Sequence, residues 1–85
     1  MHNETNPLVG VRDLDFTRHA LFRMKDRGVS EFEIYQIVTS PAAEVKRDSK
    51  SGHIVFRSGT YRVVAKEDSG ERATVITFTA ADETP

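Results

Sequence analysis

No cysteine occurs anywhere in the chain, so neither a disulfide framework nor a thiolate metal site is available to it. That absence fits a reducing compartment. A transmembrane helix needs an apolar run of about 18 residues or more, and none is present. The opening Met1-His2-Asn3-Glu4-Thr5-Asn6-Pro7 lacks the charged-then-apolar order of a secretory signal. These features lead to the expectation of a cytoplasmic protein without membrane contact. Charge of one sign is also missing in bulk: 12 Lys and Arg against 13 Asp and Glu leave −1. A protein that grips long nucleic acid nonspecifically usually carries a clear positive excess. Three scattered histidines without a close ligand pair give no metal spacing. There is no Gly-rich phosphate loop and no Gly-x-Ser-x-Gly elbow, so nucleotide hydrolysis and serine-esterase chemistry are not indicated. No cofactor and no metal are expected.

What is present is one small domain. A chain of 85 residues buries roughly 60–65% of the surface that its unfolded form exposes, which implies modest stability. Its division reads as a flexible N-terminal arm over 1–14, a single α+β domain over 15–80 and a frayed tail over 81–85. Within the arm, Leu8, Val9, Val11 and Leu14 are apolar enough to lie on the core or on a partner. The near-neutral total hides an asymmetry. Between Phe16 and Arg27 stand four Arg or Lys and His19 against one acid, Asp26, whereas acids gather at Glu31, Glu33, Glu67 to Glu71, and Asp82-Glu83. A local basic face therefore survives, suited to a small anionic ligand or a short piece of RNA.

The stretch from Phe16 to Gly28 organises the rest. Thr17 is placed to cap a first helix over about Thr17–Arg27, and Gly28 supplies the residue that commonly ends one. Ala20, Leu21 and Met24 cluster on one side at helical spacing and are expected to face the core. His19, Arg23 and Arg27 follow at i, i+4 and i+8 on an adjoining strip. Ser30-Glu31-Phe32-Glu33 fits a capping box that opens a second helix over about Glu31–Thr39, ended by Ser40-Pro41. Beyond Pro41 the period changes to two. Strands are expected at Ala43–Asp48, His53–Arg57, Thr60–Glu67 and Arg72–Thr79, joined by short turns. The expected fold class is α+β, with two N-terminal helices packed on a four-stranded antiparallel meander, α-α-β-β-β-β.

His19 can act as a base or an acid near neutrality. It can equally be a partly exposed helix residue bonded to the sheet. Arg23 and Arg27 can hold a phosphate bidentately, or pair with the acids of the second helix or the sheet edge. On the sheet, alternation groups Arg57 with His53 and Val55, opposite Ile54 and Phe56. Tyr61, Val63 and Ala65 face one way, and Arg62, Val64 and Lys66 the other. Ala73, Val75, Thr77 and Thr79 oppose Thr74, Ile76 and Phe78. Arg57, Tyr61 and Thr77 combine a polar tip with a central strand and are the candidates to complete a site with His19.

Phe16-Thr17-x-His19-Ala20-x-x-Arg23-Met24-x-x-Arg27-Gly28-Val29-Ser30, followed by a helix ending at proline and a Val-rich meander, resembles a small bacterial family catalogued as a domain of unknown function. Its pattern is F-T-x-H-A-x-x-R-M-x-x-R-G-I-S, with Val29 here in place of the usual isoleucine. The resemblance spans about Asp15 to Thr79. The element order is also similar to that of the barnase–colicin–RelE group of small ribonucleases, many of them bacterial toxins. By that analogy the chain is expected to be a metal-independent, RNA-cleaving, toxin-like domain, with an RNA substrate and a cognate antitoxin or immunity protein. His19 would transfer protons, Arg23, Arg27 and Arg57 would hold the phosphate, and Tyr61 or Thr77 would assist. The alternative is a non-catalytic binding or regulatory module whose helical strip contacts an acidic protein partner.

Overall fold

The computed structural model describes residues 6–80. Expectations for the first five residues and for the tail over 81–85 lie outside the described residues. In chain order the elements are β1 (Asp13–Phe16), α1 (Arg18–Asp26), α2 (Glu31–Thr39), β2 (Glu44–Arg47), β3 (Ile54–Ser58), β4 (Tyr61–Glu67) and β5 (Arg72–Ala80).

The local signals act as their chemistry requires. Thr17 is the N-cap of α1, its hydroxyl accepting from the Ala20 amide. At the other end Gly28, with φ of 70°, allows the Val29 amide to reach the Met24 carbonyl and its own amide to reach Lys25. This pair of bonds closes the helix, and Met24 and Val29 bury the accompanying apolar contact. Ser30 and Glu33 exchange the reciprocal bonds of a capping box at the start of α2. Ser58 pairs with Tyr61, which leaves Gly59-Thr60 as a two-residue hairpin loop with Gly59 at φ 59°.

The sheet corrects the expected architecture. It has five strands in the order β1-β5-β4-β3-β2, and it is mixed: β1 runs parallel to β5, with Asp13 opposite Arg72 and Phe16 opposite Val75. A four-stranded antiparallel meander is therefore wrong by one strand and one direction. The missing strand, Asp13–Phe16, spans the expected boundary between the arm over 1–14 and the domain over 15–80. Asp-Leu-Asp-Phe is too short for a period to be read with assurance, yet Leu14 and Phe16 turn toward the core while Asp13 and Asp15 turn away. Arg72 approaches Asp15 at 3.7 Å, so the acids of this strand sit beside a cation from its partner. Leu8 and Val11 are buried upstream, and the buried Asn6 side chain donates to the carbonyls of Val38 and Ser40.

The core occupies one face of the sheet. Ala20 and Met24 of α1, Ile34 and Val38 of α2, and Leu8 and Val11 pack on Val45, Ile54, Phe56, Val63, Ala65, Ala73, Val75 and Phe78. Leu21 was expected among them. It is instead 40% exposed, because α1 lies over β5 and β1 with only the Ala20–Met24 line directed inward. The other face of the sheet carries no helix. Its half-buried centre is the cross-strand row Val55–Val64–Thr77.

A β-bulge in β5 decides which residues reach which face. Ala65 pairs with Val75 and Val64 with Thr77, so Ile76 is the extra residue. The bulge reverses the alternation, and both Val75 and Phe78 point into the core. Strict alternation had placed Thr77 and Thr79 with Ala73 and Val75. The bulge moves both threonines to the uncovered face.

Candidate functional site

Of the α1 strip, Arg23 helps seat the helix on β5, together with the cap residue Thr17. The Thr17 hydroxyl donates to the carbonyl of the bulged Ile76 at 2.6 Å while accepting from Ala20, and the Thr17 amide donates to Val75. Arg23 Nε donates to the Phe78 carbonyl at 3.3 Å. β1 pairs with β5 only as far as Val75, so these two side chains satisfy backbone carbonyls that β1 does not reach. Arg27 forms the C-cap and is exposed. His19 is exposed and has no hydrogen bond or ion pair among the described residues.

Tyr61 and Arg57 lie elsewhere. Tyr61 is half-buried on the helix side of the sheet, its ring tilted against Phe78 with centroids 5.0 Å apart. It lines an open groove of about 760 Å³ between α2 and the β3–β4 hairpin. Ile37 and Ala43 supply more of the apolar lining, and Glu33, Glu44 and Arg57 stand at its charged border. One end of this groove thus meets the strand from which Arg57 projects.

The uncovered sheet face has the more distinctive electrostatics. Arg57 pairs directly with Arg62 across β3 and β4, and Arg62 with Thr79 across β4 and β5. Like charges directly opposite one another cost stability, on the order of 0.2–1 kcal/mol. Among the described residues neither guanidinium has a hydrogen bond or an ion pair. Lys46 lies diagonal to Arg57, since Glu44 is opposite Arg57 and Lys46 opposite Val55. Further along β4, Lys66 stands 3.7 Å from Asp68 and is partly neutralised by it. Thr77 and Thr79 add hydroxyls beside this cationic row.

The candidates therefore fall into three places. Arg23 touches the sheet backbone beyond β1, Tyr61 faces the groove, and Arg57 shares the open face with Thr77. The sheet separates His19 on α1 from Thr77 and the Arg57–Arg62 pair. Arg62 and Lys46 were not among the sequence candidates. A two-residue loop at Ser58-Gly59 would put position 57 opposite position 60. The loop falls one residue later, at Gly59-Thr60, and that shift sets Arg57 opposite Arg62. Among the described residues no group of three or more His, Asp or Glu could hold a metal ion, and no helix is long and apolar enough to cross a membrane.

One carboxyl is perturbed. Asp48, in the β2–β3 turn, is held below the ordinary 3.8, chiefly by the Lys50 backbone amide that donates to it at 2.9 Å. It shapes the turn and lies apart from the residues above.

Comparison with known proteins adds a family. Neither the curated proteins nor the solved structures contain a match. The family model described as Domain of unknown function (DUF4258) matches residues 16–79. That span begins at Phe16, covers both helices, and ends at Thr79 in β5, beyond the bulge. With most of its length inside the match, the chain belongs to this domain family of unknown function.

Proposed function

We propose that this chain is an RNA-contacting domain of the toxin-like, ribonuclease-related kind, and that it meets RNA with the uncovered face of its sheet. The observation that carries this reading is the Arg57–Arg62 pair, two arginines set opposite each other by strand register. Glu44 lies across from Arg57 on β2, and neither guanidinium forms an ion pair among the described residues. A phosphodiester backbone supplies the anions that relieve their repulsion, and arginine forks match phosphate oxygens bidentately. Lys46 extends the patch, while the Thr77 and Thr79 hydroxyls offer donors to phosphate or ribose. A near-neutral total charge suits a short, local contact of this type better than a long electrostatic track. The sheet stands between His19 and this patch, so binding, rather than cleavage driven by His19, is the activity the geometry favours.

The test is fluorescence anisotropy with a short labelled single-stranded RNA, followed by a gel that reports cleavage. Wild type should bind and leave the RNA intact. Arg57→Ala with Arg62→Ala should weaken binding by about tenfold or more and lower the salt slope by about 1.4, from roughly 0.7 per lost phosphate contact. His19→Ala should bind as wild type. If the double variant binds as tightly as wild type, the reading fails. RNA cut by wild type but not by His19→Ala would restore the catalytic expectation in place of this one.

A further inference from the structure

The outer face of α1 is built unlike a solvated helix face. Arg18, Leu21, Phe22 and Lys25 occur at i, i+3, i+4 and i+7, the spacing of a single helical stripe, and all four are exposed. Phe22 is 70% and Leu21 40% exposed, so two adjoining apolar side chains form the middle of the stripe. Arg18 and Lys25 bracket them, and among the described residues neither side chain has a hydrogen bond or an ion pair. His19 and Asp26 border the stripe on one side. The core line through Ala20 and Met24 is on the far side of the helix, so nothing in the fold requires an aromatic ring at position 22.

We infer that this stripe is a docking surface for an acidic amphipathic segment of another protein. Leu21 and Phe22 would pack on its apolar residues, and Arg18 and Lys25 would meet carboxylates at its rim. An aromatic anchor flanked by cations is the composition that concentrates binding energy at the centre of an interface. The charges select the occupant. A second copy docking through the same face would set Arg18 and Lys25 against their own counterparts, a like-charge contact that disfavours the symmetric dimer. RNA bases stack on flat rings and gain little from the neighbouring aliphatic Leu21. The surface is on the helix side of the sheet and the Arg57–Arg62 pair is on the other, so this inference is independent of the RNA reading.

The experiment is an amide-shift titration of the 15N-labelled chain with two synthetic helical peptides sharing one Leu/Trp seam, one rimmed with Glu and the other with Lys. The Glu peptide should move the amides of residues 18–25. Its affinity should fall about tenfold or more in Phe22→Ser, which removes an exposed ring and leaves the core untouched, and should fall again at high salt. Phe22→Tyr should retain binding, as should the Arg57→Ala/Arg62→Ala variant. The Lys peptide should not bind. The inference is overturned if the Glu peptide leaves residues 18–25 unmoved or binds Phe22→Ser as well as wild type. It is equally overturned if a short RNA, or self-association of the chain, is what perturbs α1.

Discussion

Thr17 ties α1 to β5 through both its side chain and its backbone. One hydroxyl caps α1 and satisfies the bulged Ile76 carbonyl, while the amide of the same residue continues the contact to β5. Thr17→Val should therefore destabilise the chain by about 1–3 kcal/mol in urea denaturation, from the lost cap and an unsatisfied carbonyl together. Thr17→Ser should recover much of that. His19→Ala, two residues on, should stay within about 0.5 kcal/mol of wild type, because the imidazole is exposed and unbonded among the described residues. Asp48 offers a test by pH. Its carboxyl is stabilised as the anion, chiefly by the Lys50 amide, with the nearby His53 contributing less. A carboxyl whose folded pKa is depressed contributes stability above its ordinary range and loses it as pH falls through the lower folded value. Carbon-detected titration of the Asp48 carboxyl should give a midpoint below 3.8, whereas a peptide of the isolated turn should titrate at the ordinary value. A folded midpoint at or above 3.8 would contradict the turn geometry.

Among the elements, β5 governs the faces of the molecule. Phe78→Ala should cost about 3–5 kcal/mol and Thr77→Ala less than about 1, although strict alternation would assign Thr77 to the same face as Val75. Deleting Ile76 would put Val75 and Phe78 two positions apart, so Phe78 should stay in the core and Thr77 on the open face. Circular dichroism should show the fold retained, while the Thr17 hydroxyl loses its bond to the Ile76 carbonyl. The bulge is also where the sequence was least legible. Thr74 to Thr79 is a uniform β-branched run with one aromatic, and nothing in its pattern marks position 76 as the extra residue. The helices were legible because their signals are local: Thr17, Gly28, the Ser30–Glu33 box and Pro41 each act within a few residues. β1 was not, because its partner is distant in sequence and only Leu14 and Phe16 face inward. Leu21 shows the same limit, since helical spacing groups it with Ala20 and Met24 but cannot say how far α1 rolls on β5. The candidate site was half legible: Arg57 was found from its place on a strand, and Arg62 was missed because register rather than periodicity brings it alongside.

On the scale of the whole molecule, the two sides of the sheet are built differently. One holds the core, the helices and the exposed Leu21–Phe22 stripe; the other is open and bears the opposed arginines. Retaining Arg57 against Arg62 costs stability in the free protein, so Arg62→Thr should raise the denaturation midpoint slightly while weakening RNA binding. A variant that gained stability without losing RNA affinity would show that the pair has no ligand role. The most direct measurement is a map of amide and arginine Nε shifts in the 15N-labelled chain as a short single-stranded RNA is added. The account predicts that Arg57, Arg62 and the neighbouring β3–β4 positions move together, with α1 unaffected. Shifts centred on His19, Arg23 and Arg27 with the open sheet face silent would contradict it.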